Sequence, residues 1–239
     1  MSAAFEACAA AVRRADPDRY FSALFAPADK RLLLFALYAF NHELARIGET
    51  VREPMMGEIR LEWWRESVES ACEQRPRTHD VAQALAALFA TTNLGTSQFQ
   101  AMIDARQFDL LEGSFADQGA RDSYVDATSG NLMRLAARIL GAGDRFDDLA
   151  REAGAAYGLS GLLRNRAHGH RRVFVADADA ARHDASAHYQ VARRTKPGAA
   201  LAAFLPAALV PLYLRYPAKP VSLHRRQLAL LSAAIRGRL

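Results

Sequence analysis

Between positions 32 and 65 the chain reads LLLFALYAFNHELARIGETVREPMMGEIRLEWWR, and apolar residues recur at Leu33, Leu37, Phe40, Leu44, Ile47 and Val51. Alternating steps of four and three draw one apolar stripe down an α-helix. Its first turns are apolar on nearly every side, through Leu32, Leu33, Leu34, Phe35, Leu37 and Tyr38, which predicts a helix running through a core. At about 100° per residue, Tyr38, His42, Ala45 and Glu49 form a second line along the other side. A polar line on a core helix has to face something, so this line is the first candidate for chemistry.

The same periodicity predicts helices throughout. An Ala-rich helix over 3–14 ends at Asp16-Pro17, Pro27 and Ala28 open the long helix, and Pro54 interrupts it. Further helices are expected over 56–74, 78–88, 96–111, 121–140, 147–166, 199–215 and 223–239, with a turn-rich break at 113–119 and kinks at Pro206 and Pro211. Helix 147–166 carries Gly154, Gly158 and Gly161. Each glycine costs about 1 kcal/mol against alanine in a helix interior, which points to close packing at the centre of the fold. The expectation is one all-α domain over 1–239.

Composition narrows the partners. At 239 residues, 51% hydrophobic, the chain can bury a full core. Its net charge of +5 and pI near 9.5 permit contact with acidic surfaces. The excess is spread without interleaved aromatics, so no nucleic-acid partner is expected. Cys8 and Cys72 are the only cysteines, which leaves no disulfide framework or zinc site and fits a reducing compartment. Glu6 interrupts the N-terminal apolar residues, and no run of about 18 apolar residues is apparent. No signal peptide or spanning helix is therefore expected; the expected location is the cytoplasm, with the inner face of the membrane as the alternative.

Several local patterns carry no catalytic signature. GLSG around Ser160 lacks the five-residue nucleophile elbow and its preceding strand. His168-Gly169-His170 has chelating spacing without a local cysteine or carboxylate, and reads as a basic loop. Asp177 and Asp179 begin like a calcium loop but lack its later ligands. Trp63 and Trp64 read as packing residues. Asp104, Arg106 and Asp109 fit a solvated face as well as a site. In the last helix Arg225, Arg226, Arg236 and Arg238 surround Leu228, Leu231 and Ile235, which suits a core-docked helix with a basic outer face or one resting on an anionic membrane.

The segment ALYAFNHELARIGETV resembles the first signature helix of the squalene and phytoene synthase family, where an aromatic-rich run leads into D-D-x-x-D. Carboxylates at i and i+4 share a helix face; opposite a second such pair they hold the Mg²⁺ ions that activate a prenyl diphosphate. Aligned on YAF, those aspartates fall at Ala45, Arg46 and Glu49. Further likenesses are RYFSALFAPADKR, MIDARQFDL with Asp109 kept, and YVDATSGNLMRL with Tyr124 and Gly130 kept and Met133 at a glycine position. In DDLAREAGAAYGLSGLLRNRAHG, the positions of the second signature hold Gly158, Gly161, Arg164, Asn165 and Gly169, retaining only the arginine. The pattern AFN-x-EL-A and the segment GEIRLEWWRESVE are similar to a side branch, the mitochondrial complex I assembly factor and its bacterial relatives. The chain after Arg171 looks shorter than in family members by about one helix.

The resemblance implies an isoprenoid synthase-type helical bundle with a degenerate site. It implies a non-catalytic binding or assembly protein, with a protein partner in respiratory complex assembly or an isoprenoid lipid or quinone tail as ligand, and contact with a membrane surface as a further possibility. Tyr38, His42, Glu49, Tyr124, Arg164 and Asn165 would line the remnant cavity, Arg164 meeting an anionic head group. No catalytic residue is assigned, no cofactor is expected, and Glu49 is the one weak metal candidate. The alternative is an active prenyltransferase with a rearranged Mg²⁺ site drawing on Glu43 and Glu49.

Overall fold

The computed structural model describes residues 3–111, 113–167 and 173–239. Helix α1 (Ala3–Ala15) is followed directly by α2 (Pro17–Ala23), because Asp16 caps the new helix: its Oδ1 accepts the Arg19 N–H at 3.1 Å, and Pro17 takes a first-turn position. Sequence patterning missed α2 because it is only seven residues long.

Helix α3 (Ala28–Thr50) runs through the core as expected. All six stripe residues are buried, and so is every residue from Leu33 to Phe40. Pro54 opens α4 (Pro54–Cys72) at a position that needs no amide donor. Trp64 of α4 is buried edge-on to Phe40 of α3, with centroids 5.5 Å apart, and Trp63 packs on Trp64 and His79.

Helix α5 (Asp80–Thr91) and α6 (Ser97–Ala105) follow, and α6 tightens into a 3₁₀ turn, Arg106–Leu110. The single helix expected over 121–140 is α7 (Gln118–Val125) and α8 (Asn131–Ile139) joined by a π turn, Asp126–Gly130. Helix α9 (Asp147–Ala167) reaches two apolar clusters, one through Leu149, Ala153 and Ala156, the other through Leu159, Leu162 and Leu163. Two short parallel strands, β1 (Gly113–Ser114) and β2 (Val173–Phe174), pair in register Gly113 to Val173 and Ser114 to Phe174. His168, Gly169 and His170 lie outside the described residues.

Helix α10 (Ala178–Ala192) was not legible as a helix. Asp177 is its N-cap, accepting the N–H groups of Asp179 and Ala180 at 3.0 and 2.9 Å, and this accounts for the acidic run that begins like a calcium loop. The prolines at 206 and 211 divide the next stretch into α11 (Leu201–Phe204), a 3₁₀ turn (Leu205–Leu209) and α12 (Val210–Arg215). Contrary to expectation, one run, Gly198–Arg215, is long and apolar enough to cross a membrane, with mean hydropathy 1.5; 61% of it is buried among the other helices. Helix α13 (Leu223–Arg236) closes the described chain, ended by Gly237 at φ 65°.

Two of the three α9 glycines are required by the π turn. A Cβ on Gly154 would lie 2.6 Å from the Gly130 Cα, and one on Gly158 would lie 2.7 Å from Val125 and 2.8 Å from the Ser129 Oγ. A Cβ on Gly161 would meet nothing within 4 Å. Close packing thus explains the first two glycines, whereas Gly161 borders open space. Gly154→Ala should therefore cost about 1–3 kcal/mol by forcing backbone apart, and Gly161→Ala should gain up to about 1 kcal/mol from helix propensity. Urea denaturation of the two variants measures both; equal losses would refute the assignment.

Candidate functional site

A cleft of about 350 Å³ opens where α2, α3, α7, α9 and α13 converge. Helix α3 presents Asn41, His42 and Ala45 to it, and α9 presents Gly158, Gly161, Arg164 and Asn165 from the facing wall. Tyr124, Thr128 and Ser129 enter from α7 and the π turn, a local widening of the helix that re-aims side chains.

The floor is organised by two buried ion networks. Asp18 is 4% exposed and accepts hydrogen bonds from Tyr157 of α9 at 3.1 Å, from Tyr213 of α12, and from Arg226 of α13, whose Nη1 is 2.7 Å away. Next to it Arg19 donates to Asp16 at 2.6 Å and lies over the rings of Tyr157 (4.9 Å) and Tyr38 (6.0 Å). The second network is a triangle: the Arg106 Nη1 donates to Asp109 and to the Tyr124 hydroxyl, both at 2.9 Å, and that hydroxyl donates to Asp109 at 2.7 Å. Arg164 stacks on Tyr213, its guanidinium carbon 3.7 Å from the ring centroid.

The arginines stay charged here. Burial alone would lower the pKa of Arg19, yet Asp16 and the neighbouring tyrosines raise it further; in the same way burial opposes, and Tyr157, Tyr213 and Asp18 outweigh, the shift at Arg164. With Asp109 paired to Arg106 behind the lining, the four arginines (Arg19, Arg106, Arg164, Arg226) and two aspartates (Asp16, Asp18) that line the cleft among the described residues leave an excess of one positive charge. Both aspartates already accept arginine donors. Such a surface attracts anions.

Four of the six residues singled out in the sequence line this cleft: His42, Tyr124, Arg164 and Asn165. Tyr38 is buried at its base beneath Arg19, with no hydrogen-bond partner for its hydroxyl among the described residues. Glu49 is exposed and outside the lining, a turn of helix beyond Ala45. Glu43 pairs with Arg46 at 3.3 Å and is also outside the lining. Among the described residues no three His, Cys, Asp or Glu side chains cluster as metal ligands would.

Sequence reasoning missed Asp16, Asp18, Arg19, Tyr157, Tyr213 and Arg226. The RYFS segment was a pointer to Arg19, but Tyr213 and Arg226 lie 195 and 208 residues from Asp18 and gave no local sign. Of the triad left open, Arg106 lines the cleft and Asp109 pairs with it at 2.9 Å from behind, whereas Asp104 pairs with Arg65 on the surface at 2.7 Å.

A helical bundle with two long helices facing each other across a polar cleft defines the isoprenoid synthase class. The squalene/phytoene synthase family model matches residues 12–208, and the chain belongs to that family. Its relatives include the proteins named NADH dehydrogenase (ubiquinone) complex I, assembly factor 6, of Bos taurus and of Homo sapiens; each is 32% identical over 171 residues, 70% of this chain and 51% of the relative. The chain spans about half the length of the curated relatives it matches. Two solved structures share the fold. A dehydrosqualene synthase in complex with ligand superposes with TM-score 0.79 at 15% identity, covering 98% of this chain and 95% of that one. Squalene synthase HpnC from Alicyclobacillus acidocaldarius superposes with TM-score 0.72 at 19% identity, covering 98% and 94%.

The tyrosines give the site a pH signature. Burial raises the pKa of Tyr38, Tyr124, Tyr157 and Tyr213 above the ordinary value of 10.0. Above that pH the unfolded chain releases protons that the folded chain keeps. Stability is therefore complete below pH 10 and should fall above it by about 1.4 kcal/mol per pH unit for each tyrosine still protonated. Urea midpoints across this range, read with phenolate absorbance, check it; four phenols ionising near pH 10 in the folded protein would contradict it.

Proposed function

We propose that this chain is a binding member of its family, without prenyl-transfer chemistry, that takes part in assembling a respiratory NADH dehydrogenase and holds an anionic head group in the arginine-lined cleft. The observation that carries the reading is the exchange of donor sets on the two facing helices. Ala45 on α3 and Gly161 and Asn165 on α9 stand at positions of the family signatures, and the charged side chain that α9 brings to the cleft is Arg164. Mg²⁺ needs several hard oxygen ligands, carboxylates above all. The two carboxylates at the cleft already bind arginines, so the residues present do not fit that ion, and no step through it is derived.

The cleft suits a head group better than a prenyl tail. Val125 and Leu162 are the large aliphatic residues in a lining otherwise dominated by arginines, tyrosines, small and polar side chains. Arg164, held by Tyr213, and Arg226, held by Asp18, are fixed donors for phosphate or carboxylate oxygens. The assembly role is supported by the names of the curated relatives, and a protein partner follows from it.

Purified protein incubated with farnesyl or geranylgeranyl diphosphate and Mg²⁺ is expected to release no pyrophosphate, and to bind inorganic pyrophosphate without metal. Arg164→Met should weaken that binding about tenfold, or about 1.4 kcal/mol. Removing the gene should reduce assembled NADH dehydrogenase on native gels, with restoration by the wild-type chain. Turnover of the prenyl diphosphates would overturn the non-catalytic reading, and an undiminished dehydrogenase would overturn the assembly role.

A further inference from the structure

We propose that the outer face of α13 docks on an anionic lipid bilayer. This helix is apolar on two opposite sides. Leu230 and Ala233 face the core and are 1% and 0% exposed; Leu228, Leu231 and Ile235 face solvent and are 65%, 45% and 78% exposed. Spaced at i, i+3 and i+7, the exposed three form a continuous stripe about 180° from the buried pair. A helix whose only task was to close the bundle would carry polar residues there.

The charge around the stripe selects the partner. From Ala185 to Leu239 the chain contains nine lysines and arginines and no aspartate or glutamate. The rest of the chain holds 22 basic and 26 acidic residues, so the whole positive excess of +5 resides in this segment. Arg225 and Arg236 are exposed and lie within about 80° of Leu228 around the helix, and Arg238 is exposed just beyond its end. Their aliphatic stems can extend along the apolar stripe while the guanidinium groups reach outward.

An apolar stripe bordered along one side by arginines with no acid among them is the pattern of a helix lying in the interface of an anionic membrane. The helix presents a convex ridge rather than a groove, which fits a deformable bilayer. Arg226 points the other way, into Asp18, and takes no part; it anchors the helix so that the stripe faces outward. The surface is thus separate from the cleft and does not depend on its ligand.

The test is sedimentation of the full chain with vesicles of phosphatidylcholine alone, or of phosphatidylcholine and phosphatidylglycerol in equal parts. Binding at least about tenfold stronger to the anionic vesicles, weakening with salt, is expected. Leu228→Ser with Ile235→Ser should reduce it about tenfold or more, and Arg225→Gln with Arg236→Gln should remove most of its salt dependence. Arg193→Gln with Arg194→Gln, off this helix, should leave binding within about twofold. All three pairs are surface changes, and an unchanged thermal midpoint confirms the fold. No preference for anionic vesicles, undiminished binding by the folded Leu228/Ile235 variant, or an equal loss in the Arg193/Arg194 variant would overturn the proposal.

Discussion

The buried carboxylate of Asp18 is the constraint on which the rest of the site depends. A carboxylate 4% exposed is costly unless every oxygen is engaged. Here the engagement comes from three helices: Tyr157 of α9, Tyr213 of α12 and Arg226 of α13. One side chain on a seven-residue helix therefore ties the second signature helix to the C-terminal part of the bundle. Removing one partner from such a pair typically costs about 3–5 kcal/mol, so α2, α9, α12 and α13 hold their relative positions as a unit. Arg164, stacked on Tyr213, inherits its position from the same network.

That arrangement sets the cleft's electrostatics. The backbone faces α3 and α9 across the cleft, and the match over residues 12–208 attests to the family. The side chains that α3 and α9 bring to the cleft include His42, Asn41, Arg164 and Asn165 and no carboxylate. Positive charge is supplied at the cleft by arginines that tyrosines and aspartates hold in place. Helix α13 joins this interior to the surface: Arg226 looks inward and is pinned, Leu228, Leu231 and Ile235 look outward.

Much of this was legible in the sequence. The placing of His42 and Arg164 at one cavity came from the family resemblance. The stripe from Leu33 to Val51, the start of the long helix after Pro27 and the core position of α9 all follow from helical periodicity and from proline and glycine chemistry. Each depends on residues within a few turns of one another, where a period of about 3.6 residues decides which side chains share a face.

Tertiary structure decided the rest. Which glycines on α9 serve packing and which borders a cavity depended on where the π turn lay, and Gly161 differed from Gly154 only in what stood opposite. Whether Arg106 and Asp109 were solvated depended on Tyr124 reaching them from 18 and 15 residues away. Above all, the partners of Asp18 arrive from up to 208 residues along the chain. The sequence by itself determined the longer helices and the family, because these are local patterns. The cleft's charge and the outward face of α13 were decided by packing, because only packing brings distant residues together and determines which side of an amphipathic element water sees.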